Sequence, residues 1–240
     1  AGWPKNSLIP DEELRKFGYG SMQEFRNWRW FRKHSAGTFA DLGAHEVDVA
    51  NWFLGVPPRS VIASGGLDYY QGREWPDGVL AILEYPLPDG VVRATCRVLT
   101  TTSGSGNAES FLGVDGAVRI SESAPLTKVY REPTAPDWEP WVKANYVVRK
   151  DEPGTPLTSE EAHARETGVL VPYELPVACD KPLAQPHLEN FFDAIRGLAK
   201  PNCGVDLAVK VQTVVSLGEM SERLNTMCLF DEKTRKITDG

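Results

Sequence analysis

Six short apolar segments between residues 60 and 131 most constrain the fold of this 240-residue chain. Apolar and polar residues alternate within them, which is the period of a β-strand with one buried face. Short turn sequences such as Pro88-Asp89-Gly90 and Asp115-Gly116 separate the segments, and turns of this length join antiparallel strands. The sequence therefore predicts a mostly antiparallel sheet with strands at 60–70, 79–85, 91–101, 109–114, 117–121 and 127–131.

Helical patterns flank these strands. Residues 39–54 follow a helical period after Thr38, a good N-cap residue, and Gly55 lies where a C-cap glycine belongs. The order of helix, strands and helices predicts an α+β fold with helices packed on one face of a large, mostly antiparallel sheet. It differs from the alternating β-α-β order of a nucleotide-binding fold. Further helices are predicted at 11–17, 159–166, 186–198 and 207–227.

We expect residues 1–240 to form a single domain, with an irregular excursion at about 132–182 where no period is sustained. The net charge of −7 argues against a nucleic-acid partner, which needs a basic surface. No apolar run approaches the roughly 20 residues that cross a bilayer, and the first residues do not form a signal peptide. The four cysteines form no C-x-x-C pair, which favours free thiols in a reducing compartment. We therefore expect a cytoplasmic protein without a membrane partner.

The helix at 39–54 carries a polar and aromatic stripe, Asp41, His45, Asp48 and Trp52. At 100° per residue these positions fall within an arc of about 60° on one face. An imidazole exchanges protons near neutral pH, and a carboxylate one turn away can fix its tautomer, so acid–base chemistry is one interpretation. A solvated helix face and a divalent metal site with His34 as a further ligand are the alternatives. The side expected to be buried carries Phe39, Leu42, Val47, Val49, Ala50, Phe53 and Leu54.

The context of this stripe resembles a known family. Trp28-Arg29, a glycine at Gly37, the D-x-x-x-H-x-x-D run from Asp41 and the W-x-L-G run from Trp52 occur in the family's order. The resemblance covers most of residues 25–230 and is to the C-terminal domain of the glucose–fructose oxidoreductase/inositol dehydrogenase (Gfo/Idh/MocA) family. Later segments that agree with the family pattern are Tyr85-Pro86 to Gly90-Val91, Gly113 to Ile120 and Pro186 to Ile195.

This resemblance implies a C-terminal domain of the dihydrodipicolinate-reductase-like type, preceded in the family by a dinucleotide-binding Rossmann domain. Members transfer hydride between NAD or NADP and a hydroxyl-bearing carbon, usually of a sugar or polyol. By position, His45 matches the residue that exchanges a proton with the substrate hydroxyl, and Asp41 matches the carboxylate that positions substrate and histidine. The other positions implied to contact substrate are Asp48, Trp28, Arg29, Arg32 and Trp52.

Two features depart from the family pattern. Ser35-Ala36-Gly37 replaces a glycine triplet, so Ala36 would be strained if that position needs positive φ. The Rossmann fingerprint is absent, because Gly104-Ser105-Gly106 lacks a third glycine and the strand–helix setting. Lys181 before Pro182 lies too late in the chain to be the lysine of the family's Glu-Lys-Pro segment. We expect NAD or NADP to bind mainly on the missing N-terminal domain, and this chain alone to be inactive.

Partners and rival functions complete these expectations. In the family the open sheet face often makes the subunit contact, so a homodimer or higher homo-oligomer is predicted. A polar loop with Arg73, Trp75 and Asp77 could also reach a sugar. The alternatives are a metal-dependent hydrolase or isomerase that uses Asp41, His45 and Asp48, and a non-catalytic oligomerisation or binding module.

Overall fold

Two antiparallel sheets of five strands each organise the fold. The computed structural model describes residues 8–102, 108–121, 126–150, 170–176, 181–182 and 184–240. The chain divides into two compact units, one made of Ala1–Ser103 with Cys203–Gly240 and one made of Gly104–Asn202. The predicted α+β class and antiparallel pairing are confirmed, while the strands divide between two sheets.

The sheet of the first unit contains β1 (Ser60–Gly66), β2 (Gly78–Leu87), β3 (Gly90–Leu99), β9 (Cys228–Asp231) and β10 (Lys236–Asp239). Its strand order is β10-β9-β1-β2-β3. The predicted turn at Pro88-Asp89 is confirmed, since Leu87 pairs with Gly90 across it. Alternate side chains of β2 point into the core: Val79, Ala81, Leu83 and Tyr85 are buried. The sequence did not predict β9 and β10.

The helical elements of this unit are α1 (Asp11–Lys16), α2 (Met22–Arg26), a 3-10 helix (Trp28–Trp30), a π-helical turn (Phe39–Gly43), α3 (Ala44–Leu54) and α6 (Val205–Leu224). Gly55 ends α3 in the left-handed conformation, as predicted. Thr38 is not an N-cap, because it is itself helical and its hydroxyl donates to the Pro76 carbonyl at 2.8 Å. Within the described ranges, no helix is long and apolar enough to cross a membrane.

The second unit contains β4 (Glu109–Leu112), β5 (Gly116–Ile120), β6 (Lys128–Arg131), β7 (Val148–Arg149), β8 (Val171–Glu174), α4 (Glu139–Lys143) and α5 (Gln185–Ile195). Its strand order is β4-β5-β6-β8-β7, around a small core of Val129, Val147 and Tyr173. The Asp115-Gly116 hairpin is confirmed by the Leu112–Ala117 pair. The described residues of the stretch predicted to be irregular, 132–182, include the regular elements α4, β7 and β8. The helix predicted at 159–166 and the Gly104-Ser105-Gly106 turn lie outside the described residues.

The core of the first unit fixes which face of the π turn and α3 is buried. Phe39, Gly43, Val47 and Asn51, four residues apart, are the buried positions of this continuous helix. The Phe39 ring lies so close to Gly43 and to Gly218 of α6 that a β-carbon at Gly43 would stand 2.8 Å from it. The wider π turn shifts the helical phase, so the predicted burial of Leu42 and Phe53 is wrong: they are 47% and 49% exposed.

Gly218→Ala should destabilise the chain by about 1–3 kcal/mol, because its methyl group would overlap the buried Phe39 ring. Glycine-to-alanine changes inside a helix otherwise stabilise by roughly 0.5–1 kcal/mol. The sign of the change in urea unfolding free energy therefore separates packing from helix propensity.

Ser216→Ala, on the exposed side of the same helix, is the matched control and should change stability little. Phe39→Leu in the Gly218→Ala background should recover part of the loss, because the smaller side chain makes room. A stabilised Gly218→Ala variant would show that Phe39 can move away at no cost.

Candidate active site

Asp41 and His45 lie on the face of the helix that points away from the core. Asp41 is in the π turn and His45 in the first turn of α3, each two residues along from a buried position. Two residues correspond to about 200°, so both side chains project to the outside. The Asp41 side chain is 32% exposed and His45 is exposed. Trp52, 74% exposed, extends this surface, and its ring lies 5.3 Å from that of Phe53.

Asp48 is oriented differently from the rest of the predicted stripe. Its Oδ1 atom is buried and has no hydrogen-bond partner among the described residues. Cys203 immediately precedes Gly204, the N-cap of α6. Burial raises the pKa of the Cys203 thiol, and the nearby charge of Asp48 raises it further. Asp48 therefore lies at the junction of α3 and α6, at the edge of the exposed surface.

Arg29 is the ion-pair partner of Asp41. Its Nε donates to Asp41 Oδ2 at 2.6 Å, and its guanidinium group lies 4.4 Å from the centre of the Trp28 ring. Within the described part of the chain, no hydrogen bond joins the side chains of Asp41 and His45. The structure thus brings together Asp41, Arg29 and Trp28, all of which the sequence placed at the site, but in a pairing that it did not predict.

Arg32 fastens the Trp28–His34 segment to the loop after β1. Its backbone N–H donates to Glu74 Oε2 at 2.6 Å, and its Nε donates to the Glu74 carbonyl at 3.2 Å. The guanidinium group stacks 4.2 Å from the centre of the Trp75 ring and lies 3.9 Å from a Glu219 oxygen. These contacts occupy Arg32 with the protein itself, and its predicted contact with substrate stays a prediction.

The side chains of the loop that contains Arg73, Trp75 and Asp77 make contacts within the protein that hold the loop in place. Arg73 lies 4.4 Å from the centre of the Trp30 ring and 3.5 Å from that of Tyr70, while Trp75 is 8% exposed. Asp77 is 3% exposed and accepts hydrogen bonds from the backbone of Tyr69 at 2.8 Å and Tyr70 at 2.9 Å. Burial raises the pKa of Asp77, but these backbone donors outweigh it and hold the pKa below its usual value. These residues shape the loop that supports the 3-10 helix.

Gly37 supplies the unusual backbone conformation of the segment before the π turn. Its φ is +93°, and a β-carbon there would stand 2.7 Å from the Trp75 ring. Ala36 is not among the residues with positive φ. The strain considered for Ala36 is therefore avoided, because the left-handed position falls on the glycine that the sequence retains.

His34 belongs to a separate cluster. Its Nε2 lies 2.6 Å from Glu24 Oε1, and its ring stacks on Tyr19 with centres 4.5 Å apart. The hydrogen bond to His34 is the main cause that lowers the pKa of Glu24. Among the described residues, no three His, Cys, Asp or Glu side chains are grouped as a metal ion requires. The metal interpretation of Asp41, His45 and Asp48 thus gains no support from the geometry.

Sequence reasoning missed several buried polar groups near α3. Asn51 is 4% exposed and Tyr85 is fully buried, and their side-chain polar atoms have no hydrogen-bond partner in the described ranges. Burial raises the pKa of Tyr85 and of Cys96, and for Cys96 the nearby Glu46 carboxylate adds to the effect. The signal for Asn51 was available, because it continues the four-residue spacing of Phe39 and Val47.

Two other features contain no residue of the stripe. A groove of about 500 Å³ runs between α6, Pro57-Pro58 and the β9–β10 hairpin, and none of the predicted site residues lines it. In the second unit, Lys181 forms an ion pair with Glu189 at 2.6 Å, whereas residues 177–180 and 183 lie outside the described residues. Lys181 is thus engaged by α5, as expected of a loop lysine.

Acidic residues in the first turns of α1 and α6 make the N-termini of these two helices unfavourable for the phosphates of a dinucleotide. Such a site needs free backbone N–H groups and no negative charge in the first turn. The first turn of α1 holds Asp11, Glu12 and Glu13, and that of α6 holds Asp206. The N-terminus of α3 is continuous with the π turn, and Pro186 lies in the first turn of α5. These acidic first turns disfavour the binding of a phosphate group at the N-termini of α1 and α6.

Comparison with known proteins gives relatives of both sequence and fold. YteT of Bacillus subtilis (strain 168) is 36% identical over 83 residues, which are 33% of this chain and 17% of that protein. The aldose–aldose oxidoreductase of Caulobacter crescentus, crystallised with glycerol, superposes with a TM-score of 0.59 at 18% identity, covering 85% of this chain and 51% of that one. The WlbA dehydrogenase of Bordetella pertussis, in complex with NADH and UDP-GlcNAcA, gives 0.53 at 15% identity, covering 93% and 53%.

These solved structures share the fold, and this chain spans about half of their length. The profile of the oxidoreductase family's C-terminal alpha/beta domain matches residues 13–224, which is most of the chain. The chain therefore belongs to the Gfo/Idh/MocA oxidoreductase family and contains its C-terminal alpha/beta domain.

Proposed function

We propose that this chain is the substrate-side domain of an NAD(P)-dependent oxidoreductase that acts on a hydroxyl-bearing carbon of a sugar or polyol. The observation that carries the proposal is the exposed pair of Asp41 and His45 on a helix whose opposite face is locked in the core. The relatives crystallised with glycerol and with UDP-GlcNAcA favour a polyhydroxylated substrate. The exposed Trp52 ring offers the flat apolar surface on which the C–H face of a sugar can rest.

In the proposed reaction His45 acts as proton acceptor and donor. Oxidation of a secondary alcohol releases a hydride from carbon and a proton from the hydroxyl group. The exposed imidazole takes that proton as the C=O bond forms, and returns it in the reverse direction. Asp41, held by Arg29, presents its carboxylate one helical turn away. There it can accept a hydrogen bond from a second hydroxyl group of the substrate. A nicotinamide, when bound, supplies the site that accepts or gives the hydride.

The cofactor is proposed to bind mainly on another domain of a longer parent protein. The acidic first turns of α1 and α6 disfavour phosphate, and the chain covers about half of the NADH-bound relative. In this proposal the cofactor domain supplies the other side of a cleft whose substrate side is the surface around Asp41 and His45.

In the full-length parent, His45→Asn should lower kcat for NAD(P)+ reduction by about 10²–10⁴-fold, the usual contribution of a general acid–base. The substitution should leave the melting temperature unchanged, because the side chain is exposed. The assay is the rise in absorbance at the NAD(P)H band with a panel of sugars and polyols.

His187→Asn on α5 is the matched control, since it removes an equally exposed imidazole far along the chain from the stripe. Its turnover should equal that of the wild-type parent. Equal turnover of the His45→Asn variant would remove His45 from the mechanism.

The 240-residue chain alone should show no micromolar binding of NAD(H) or NADP(H) by isothermal titration calorimetry. The physical reason is that the acidic first turns of α1 and α6 disfavour the binding of a phosphate group there. A dissociation constant in the micromolar range would place the cofactor site on this chain instead.

The open face of the first sheet is proposed as the contact between two copies of the chain. Ile62 and Ile82 are directly paired across β1 and β2, and with Leu80 and Leu99 they are 37–53% exposed on the side away from α6. Glu84 borders this apolar surface and is paired within the chain with Arg59 at 3.1 Å and Arg93 at 3.0 Å, so its charge is compensated before any contact with a second copy.

Ile82→Lys should therefore convert a dimer to a monomer, measured by light scattering coupled to gel filtration, because it places a charge at the centre of the apolar face. Leu224→Lys at the end of α6, where the native side chain is 52% exposed, is the control and should leave the mass unchanged. A wild-type chain that remains monomeric at high concentration would contradict this contact.

A further inference from the structure

The ion pair between Arg29 and Asp41 points to a role for Arg29 that the sequence does not indicate. Nε of Arg29 lies 2.6 Å from Asp41 Oδ2, and the guanidinium group is also held against the Trp28 ring at 4.4 Å. Two independent contacts therefore fix the cation beside this carboxylate, although the Arg29 side chain is 55% exposed. An exposed pair of this kind adds little to stability, so we looked to the neighbouring His45 for an effect of the pair.

We propose that Arg29 is a positioning residue: it neutralises Asp41 and fixes its rotamer, so that His45 is not held in its protonated form by an uncompensated carboxylate one turn away. Side chains four residues apart on a helix are neighbours, with β-carbons about 5–6 Å apart. A lone carboxylate at that distance stabilises the imidazolium, and a protonated imidazole has no free nitrogen with which to accept the substrate proton. The inference deepens the proposed function, since it concerns the charge state of the proposed base.

The other charged groups around α3 are directed to other partners. On α3 itself, the charge of Glu46 adds to burial in raising the pKa of the Cys96 thiol on β3. The charge of Asp48 adds in the same way to burial in raising the pKa of the Cys203 thiol, just before α6. On α6, Asp206 and Lys210 line the separate groove, and Glu219 pairs with Arg223 at 3.3 Å. These groups remain unchanged when Arg29 or Asp41 is replaced, so they form a constant background against which the pair can be tested.

The test is an NMR titration of the imidazole resonances in the 240-residue chain at low ionic strength, where screening is weakest. His45→Gln identifies the His45 signal among the four histidines. Arg29→Met should raise the His45 titration midpoint by about half a pH unit to one unit, because it leaves Asp41 uncompensated. Asp41→Asn should lower the midpoint, because it leaves the Arg29 cation alone.

Two further variants separate charge from structure. Arg29→Lys keeps the positive charge and should leave the midpoint close to that of the wild-type chain. In the Arg29→Met/Asp41→Asn double variant both charges are gone, so the midpoint should fall from its raised value in Arg29→Met back towards the wild-type value. The resonances of His34 and His187 serve as internal controls and should not move.

An unchanged His45 midpoint in Arg29→Met, or a midpoint in the double variant that stays as high as in Arg29→Met, would overturn the role of Arg29. A common shift of all imidazoles would also overturn it, because it would report a general structural change. The titration needs neither substrate nor cofactor. It can therefore fail while His45→Asn still abolishes turnover in the parent, and the two proposals are distinguishable.

Discussion

The contact of the Phe39 ring with Gly43 and Gly218 fixes the helix on which the candidate site depends. Neither glycine can accept a β-carbon without displacing the ring, so the π turn, α3 and α6 have one way to pack. That packing sets the rotation of α3, and the rotation directs Asp41 and His45 outwards. The direction of Asp41 and His45 on the exposed face therefore depends on the lack of a β-carbon at Gly43 and Gly218 on the buried side.

The parts of the fold with local signals could be predicted from sequence. The β2–β3 hairpin has ten paired positions and a proline–aspartate–glycine turn, so its period and its turn agree. The four-residue strands β9 and β10 offer too few alternations for a period to be recognised, and β9 pairs with β1 only through the tertiary fold. Leu42 and Phe53 were assigned to the core because a constant 100° per residue ignores the π turn.

The candidate site shows the same division. The spacing of Asp41 and His45 is a property of one helix, so their common outward face followed from sequence alone. The partner of Asp41 did not, because Arg29 lies twelve residues earlier, beyond the left-handed turn at Gly37. Arg73, Trp75 and Asp77 have the residue types of a sugar site, yet stacking and backbone hydrogen bonds commit them to the loop. Residue type alone cannot separate a group that binds ligand from one that binds its own chain.

The second unit is inserted in sequence between β3 and α6, and this order has a kinetic consequence. The backbone N–H of Ala63 donates to Ser221 Oγ at 2.8 Å, a bond between residues 158 positions apart. Closing so long a loop costs conformational entropy before any contact repays it. Collapse of the inserted unit shortens the effective loop, so the order in which the two units fold governs how fast α6 reaches β1. Substitutions in the inserted unit can then slow the docking of α6 on β1, although β1 and α6 lie outside that unit in sequence.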